Sequence, residues 1–287
     1  MRIPKYWARQ TCRGEDPKGR SIVLQTRGWS DASLAAAREK AAQRAQNALA
    51  RLFREEPLGD YEYLDQPIPE EIVDSVGPQG QEIAVITRNR YGSLVLNSAS
   101  VCFVDIDFPP IQSQGIKDAL ALLFSKRKRN ERKQALEQTT LQNVRSWAQR
   151  NSSRLFRLYR TAAGLRLLFT DRLYDPTSRE TSSLLQELGS DRLYRRLTEK
   201  QECFRARLTP KPWRIGCTRP PTGFPWIDDS AEQEYRQWQR TYEQKSTPYQ
   251  VCQLVESVGQ DASDNTITAI VALHDRYTCT NGAAELA

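Results

Sequence analysis

The stretch Leu94-Val-Leu-Asn-Ser-Ala-Ser-Val-Cys-Phe-Val-Asp-Ile-Asp-Phe-Pro-Pro110 decides how the rest of the chain is read. Val101, Cys102, Phe103 and Val104 form an apolar run that predicts a strand buried on both faces. Pro109 and Pro110 stop it. Side chains at i and i+2 of a strand point to one side, so Asp105 and Asp107 project together while Ile106 points the other way. Two carboxylates that close repel each other and shift each other's pKa. A hard divalent ion, Mg²⁺ or Mn²⁺, relieves the repulsion through oxygen ligands. The bland alternative is a solvated strand end that caps a turn.

Working outward, Glu82–Thr87, Ser93–Leu96 and Ala99–Asp107 read as three strands, the first two joined by a turn at Arg88–Gly92. Residues 1–20 read as a mixed entry segment with Arg, Lys and early aromatics, Ser21–Thr26 as a short strand and Gly28–Ser30 as a turn with Ser30 as N-cap. A helix from Asp31 to Glu55 follows, with Leu34, Ala37, Ala41, Ala45, Ala48, Leu49 and Leu52 on one face and Pro57 at its end. Tyr61–Pro69 reads as a loop and Glu70–Val76 as a short helix closed by Gly77 and Pro78. Gly115–Arg150 reads as helical throughout, as one helix or two, and its Lys126–Lys133 segment holds the densest positive charge in the chain. That segment is either a solvated helix face or a phosphate-contacting surface.

Beyond it, Ser153–Tyr159 and Leu165–Thr170 form a hairpin around the small-residue turn Thr161–Gly164, which brings Arg160 and Arg166 near one sheet mouth. Helices are expected at Thr181–Leu188, Asp191–Gln201 and Glu232–Glu243. In Phe204–Leu208, apolar and basic residues alternate, so Arg205 and Arg207 share a strand face. Lys211 and Arg214 follow in a rigid, proline-rich segment. Val251–Val255 and Thr266–Leu273 read as strands, the latter ending at His274–Asp275. The expected fold class is α/β (α+β): a two-layer core with a mixed or antiparallel sheet and flanking helices.

Composition narrows the function classes. The chain has 287 residues, 39% hydrophobic and 27% charged, enough for a sizeable core and a polar surface. No apolar run approaches a membrane span, and the first residues lack a signal peptide's apolar stretch, so a cytoplasmic protein without a membrane partner is expected. Six cysteines without C-x-x-C spacing argue against a zinc ribbon, and the single histidine argues against most triad chemistry. The net charge of +7 points to an anionic partner, nucleotide or nucleic acid.

Three features line up in chain order: the Asp105-x-Asp107 strand end, the small-residue turn leading into Arg166, and Asp191 followed by Arg205, Arg207, Lys211 and Arg214. Acids that hold divalent ions beside arginines that bind phosphate form the layout of metal-assisted phosphoryl or nucleotidyl transfer. With these residues the chain resembles the archaeo-eukaryotic primase and primase-polymerase superfamily. Phe103-Val-Asp-Ile-Asp-Phe108 matches its hydrophobic strand ending in D-x-D. Thr161-Ala-Ala-Gly-Leu-Arg166 stands where the family carries an S-G-x-G-x-H hairpin, with Arg166 at the histidine position. Asp191 and Phe204–Arg214 stand for its third acid and basic strand.

The resemblance covers about residues 20–216. It implies a primase-polymerase-like core with an RRM-like sheet over 1–216, a basic helical insertion at about 115–150, and a C-terminal extension, 217–287, packed on the core. It implies Asp105 and Asp107 as ligands of Mg²⁺ or Mn²⁺, Asp191 as a third catalytic acid, and Arg160, Arg166, Arg205, Arg207, Lys211 and Arg214 as nucleotide- or phosphate-binding residues. Two rivals come from other classes. One is a non-catalytic module that binds nucleic acid or a protein. The other is a metal-dependent phosphoester hydrolase. His274–Asp275 reads as structural before it reads as a dyad, and Trp213 is the tryptophan best placed to stack on a base.

Overall fold

The computed structural model describes residues 1–15, 19–54, 66–77, 82–113, 115, 123–259, 264–279 and 284–287. The fold is mixed α/β with antiparallel sheets. The chain forms two compact units, one of residues 1–98 and 200–249 and one of residues 99–199 and 250–287. The boundary expected at residue 216 therefore falls inside the first unit.

The first unit begins with a hairpin of β1 (Tyr6–Glu15) and β2 (Ser21–Ser30), paired from Tyr6↔Ser30 to Glu15↔Ser21. Residues 1–20 carried no strand expectation, and the turn expected at Gly28–Ser30 is instead the end of β2. The reason is the partner helix. Helix α1 (Leu34–Phe53) buries Ala37, Ala41 and Ala45, a stripe of methyl groups at i, i+4, i+8. Small side chains let the hairpin lie directly on the helix backbone. The Thr26 hydroxyl donates to the Ala41 carbonyl at 2.8 Å, and a Cβ on Gly28 would sit 2.2 Å from the Ala37 carbonyl oxygen. The helix starts later than expected, because Ser33, not Ser30, is the N-cap and accepts from Ala36 N.

Four strands make the second sheet of this unit, in the order β3 (Glu71–Val76), β4 (Ala84–Arg88), β5 (Leu94–Ser98), β9 (Phe204–Arg207). The segment expected as a helix at 70–76 is thus an edge strand. Its β-branched Ile72, Val73 and Val76 suit an extended backbone, and it pairs with β4 through a bulge between Ile72 and Asp74. Helix α5 (Asp229–Ser246) buries Tyr235, Trp238 and Tyr242, and the Tyr242 hydroxyl donates to the Pro210 carbonyl at 2.6 Å.

The second unit holds a four-stranded sheet in the order β11 (Cys252–Val258), β7 (Phe156–Thr161), β8 (Gly164–Phe169), β6 (Phe103–Asp107). Its helices are α2 (Lys126–Arg150), α3 (Arg179–Glu187), α4 (Arg192–Gln201, whose last two residues belong to the first unit) and α6 (Asn265–Thr278). The last was expected as a strand. Its apolar run hid a helical period: Ile267, Ile270, Val271, His274 and Thr278 are all buried, and Asp264 caps the start by accepting from Thr266 N and Ile267 N. The short strands β10 (Tyr249–Gln250) and β12 (Glu285–Leu286) pair with each other. Of the expected elements, residue 55 and Pro57 after α1, the 61–65 part of the loop, Pro78, and 116–122 of the long helix lie outside the described residues. Among the described residues no helix is long and apolar enough to cross a membrane.

Candidate functional site

The strand end that organises the sequence is built by a hairpin partner. Strand β8 pairs with β6 so that Asp105 faces Arg166 and Asp107 faces Gly164. Only glycine fits at 164, because a Cβ there would lie 2.1 Å from the Ile106 carbonyl oxygen. That close approach sets the register which brings Arg166 under Asp105.

Arg166 donates to both oxygens of Asp105, Nε to Oδ1 at 2.7 Å and Nη2 to Oδ2 at 3.0 Å. The guanidinium is almost wholly buried, while the Asp105 side chain keeps 39% of its exposure. Burial alone would lower the pKa of Arg166. The facing Asp105 carboxylate outweighs that and holds the guanidinium protonated. The third donor group, Nη1, lies 3.7 Å from Cys252 Sγ and 3.4 Å from His274 Nε2. A guanidinium only donates, so His274 Nε2 accepts, and the ring proton sits on Nδ1, 3.0 Å from Asp275 Oδ1. Asp275 also accepts from the Tyr159 hydroxyl at 2.7 Å and from Arg157 at 3.0 Å.

The pKa shifts follow from this chain of contacts. Burial, with Arg166 adding to it, pulls His274 below its ordinary value despite the Asp275 hydrogen bond, so the ring is neutral. Burial raises Asp275, but the hydrogen bonds from His274 and Tyr159 prevail and leave it below the usual carboxylate range. Burial pushes the Cys252 thiol up to about 11, against the pull of Arg166, so it is not a thiolate nucleophile. The network alternates charge, Asp105, Arg166, neutral His274, Asp275 and Arg157, and leaves no net charge within it.

The other expected residues are occupied or separate. Arg160 forms a two-pronged pair with Glu137 of α2, including Nη2 to Oε2 at 2.9 Å. Asp191 is the N-cap of α4 and accepts from Leu193 N at 2.8 Å and Tyr194 N at 3.1 Å. Asp107 is exposed. Arg205, Arg207, Lys211 and Arg214 lie in the first unit, whereas Asp105, Asp107, Arg160, Arg166 and Asp191 lie in the second. Arg205 donates to Glu70 at 2.7 and 2.8 Å, and this Glu70 is 4% exposed, which makes the pair a brace inside the second sheet of its unit. Lys211 sits 5.6 Å from the centre of the Trp213 ring.

A divalent ion at the strand end would need the Asp105 oxygens, and Arg166 holds both. Among the described residues no group of three or more His, Cys, Asp or Glu side chains is placed to hold a metal. The residues present therefore do not fit a resident Mg²⁺ or Mn²⁺: a guanidinium stands where the cation would relieve the carboxylate. His274 and Asp275, read as structural from the sequence, are so here, but on a helix and not at a strand end; nothing in the spacing ties Glu137 of α2 to Arg160.

No protein-family model, curated protein or solved structure matches this chain.

Proposed function

We propose that this chain binds nucleic acid through the exposed N-terminal half of α2, and that Asp105 and Asp107 serve the fold. The observation that carries this reading is a half-helix that has no fully buried residue and is crowded with cations. Six of the eight residues from Lys126 to Lys133 are basic, and the first buried residue of α2 is Thr140. Residues 126–139 span about 21 Å of helix.

Arg127 pairs with Glu131 at 3.4 Å, but the density of positive charge still favours an added anion. The N-terminus of a helix carries partial positive charge, which acids normally offset. Here the first turn has no acid and holds Lys126, Arg127, Lys128 and Arg129. A phosphate backbone relieves both the mutual repulsion and the clash with the dipole. Phe124, just before the helix, is 85% exposed and offers a ring on which a base stacks. Lys133 also lines an open recess of about 320 Å³ with Arg160, Gln250, Gln253 and Glu285.

Nucleotidyl transfer of the primase-polymerase type and phosphoester hydrolysis are the rival readings. Both require Asp105 to be released from Arg166 before it can hold a metal. The test is fluorescence anisotropy with single- and double-stranded oligonucleotides, on wild type and on a variant with Lys126, Lys128, Arg129 and Lys133 all changed to alanine. The expected result is binding that weakens with salt, with the salt slope reduced by about 3 in the variant. Equal binding by the variant, or binding to anionic vesicles and not to oligonucleotides, would overturn the reading.

A further inference from the structure

A second cationic feature lies in the first unit, on the hairpin face opposite α1. Arg9 of β1 and Arg27 of β2 are direct cross-strand partners. Like charges placed directly opposite destabilise a strand pair. Neither arginine has a carboxylate partner among the described residues. Both line a cavity of about 200 Å³ that Arg88 and Arg90 also line. The one acid of that lining, Glu71, is already taken by Arg236, whose Nη1 donates to its Oε2 at 3.0 Å.

Two of the lining arginines are incompletely hydrogen-bonded. Arg9 Nη2 donates to the Gly223 carbonyl at 3.1 Å, yet Arg9 Nε is buried and has no hydrogen-bond partner. Arg88 is fixed by Gly92 O at 2.9 Å and Glu243 at 3.1 Å, yet its Nε is also buried without a partner. Buried donors are almost always satisfied, and both orphaned N–H groups belong to arginines that line this cavity. The site also matches the acceptor's charge. Arg9 and Arg27 bring two positive charges without a carboxylate, and burial together with Arg27 lowers the pKa of Arg9. An anion would remove both penalties.

We propose that this cavity binds the phosphate group of a phosphomonoester. A phosphomonoester is close to a dianion at neutral pH and accepts through several oxygens. Arginine forks match that geometry better than they match a halide or a single carboxylate. The volume is below the about 300–1,000 Å³ typical of sites for drug-sized ligands, which suits a charged head group more than a whole cofactor. Phe224 and Tyr235 at the wall leave an apolar edge for the ester side. The proposal does not depend on the role of α2, which belongs to the other unit.

The test is calorimetry on the full chain with inorganic phosphate, a nucleoside 5′-monophosphate, and oligonucleotides bearing either a 5′-phosphate or a 5′-hydroxyl. Binding of phosphate to wild type is expected, with affinity reduced about tenfold or more in Arg9→Gln and in Arg27→Gln. Without ligand, both variants should melt at or above the wild-type temperature, because each relieves a like-charge pair. Arg27 is exposed, so Arg27→Gln serves even if Arg9→Gln fails to fold. Tighter binding of the monophosphate than of phosphate would assign a free nucleotide. Preference for the 5′-phosphorylated over the 5′-hydroxyl oligonucleotide would assign a nucleic-acid end. No phosphate binding by wild type, or unchanged binding by Arg27→Gln, overturns the proposal. The alanine variant of α2 should bind phosphate as wild type does, which separates failure here from failure of the nucleic-acid reading.

Discussion

At Asp105 the repulsion of a D-x-D strand end is relieved from inside the protein. Arg166 supplies the counter-charge from the facing strand, and the His274–Asp275 pair completes its hydrogen bonding. Breaking one side of a buried pair leaves an uncompensated charge, so Asp105→Asn is expected to lose about 3 kcal/mol of stability. The figure lies at the low end of such losses because the Asp105 side chain is 39% exposed and partly solvated. Asp107→Asn should change stability by under about 0.5 kcal/mol, since its side chain is exposed. Chemical denaturation of both variants checks this contrast, and a similar large loss in both would contradict the assignment. His274 adds a pH signature. Its folded pKa lies below the ordinary value of 6.5. The unfolded chain therefore takes up a proton that the folded chain refuses, and the stability contributed is complete above the unfolded pKa and lost as pH falls from there. The melting temperature should drop between about pH 7 and pH 5, and His274→Gln should flatten that limb. Asp275, also depressed, acts only in the carboxylate range below this window. The alternation that puts Asp105 and Asp107 on one side was legible in the sequence. The register that brings Arg166 to Asp105 was not, because it depends on the backbone contact at Gly164.

Element identity was legible where one periodicity ruled. The strands β4, β5 and β6, the hairpin of β7 and β8, and helices α1, α3, α4 and α5 fall close to where spacing placed them, whereas α2, expected from Gly115, begins at Lys126 after an extended Ser125. Legibility failed where local pattern and tertiary context disagree. The 266–273 run is rich in β-branched residues, yet it is helical, because its buried side chains follow a helical period and Asp264 caps it. The 71–76 segment carries charges that mimic a helix face, yet it pairs along the sheet edge with β4. The first hairpin was missed because its buried side rests on alanines of α1 rather than on large side chains of its own. That packing has a sharp test. A methyl group added by Gly28→Ala would lie 2.2 Å from the Ala37 carbonyl oxygen and 2.4 Å from Ala41 N, both backbone atoms that cannot swing away. Thermal unfolding should show a loss of about 3 kcal/mol, at the upper end for overpacking, or failure to fold. A neutral result would mean that α1 does not sit on this hairpin as described.

Across the whole molecule, the residues expected to form one cleft are shared between two units that interleave along the chain. Composition revealed the basic excess, +7, but not its distribution. That is set by which arginines meet carboxylates: Arg160, Arg166 and Arg205 are neutralised by Glu137, Asp105 and Glu70. Arg9 and Arg27 have no carboxylate partner among the described residues, and in the Lys126–Lys133 stretch of α2 six basic residues share one acid of that stretch, Glu131. Such pairing is a matter of long-range contact, which linear spacing does not encode. Oligonucleotide binding measured by anisotropy across a salt series, once in EDTA and once in Mg²⁺, separates charge-driven binding by α2 from metal-dependent binding at Asp105. The expected result is the same strongly salt-dependent affinity in EDTA as in Mg²⁺ after correction for ionic competition, with a Kd on the order of 10⁻⁴–10⁻⁶ M near physiological salt for sequence-independent binding. Binding that appears only with Mg²⁺ and vanishes in Asp105→Asn would contradict it and return the strand end to the role of a metal centre.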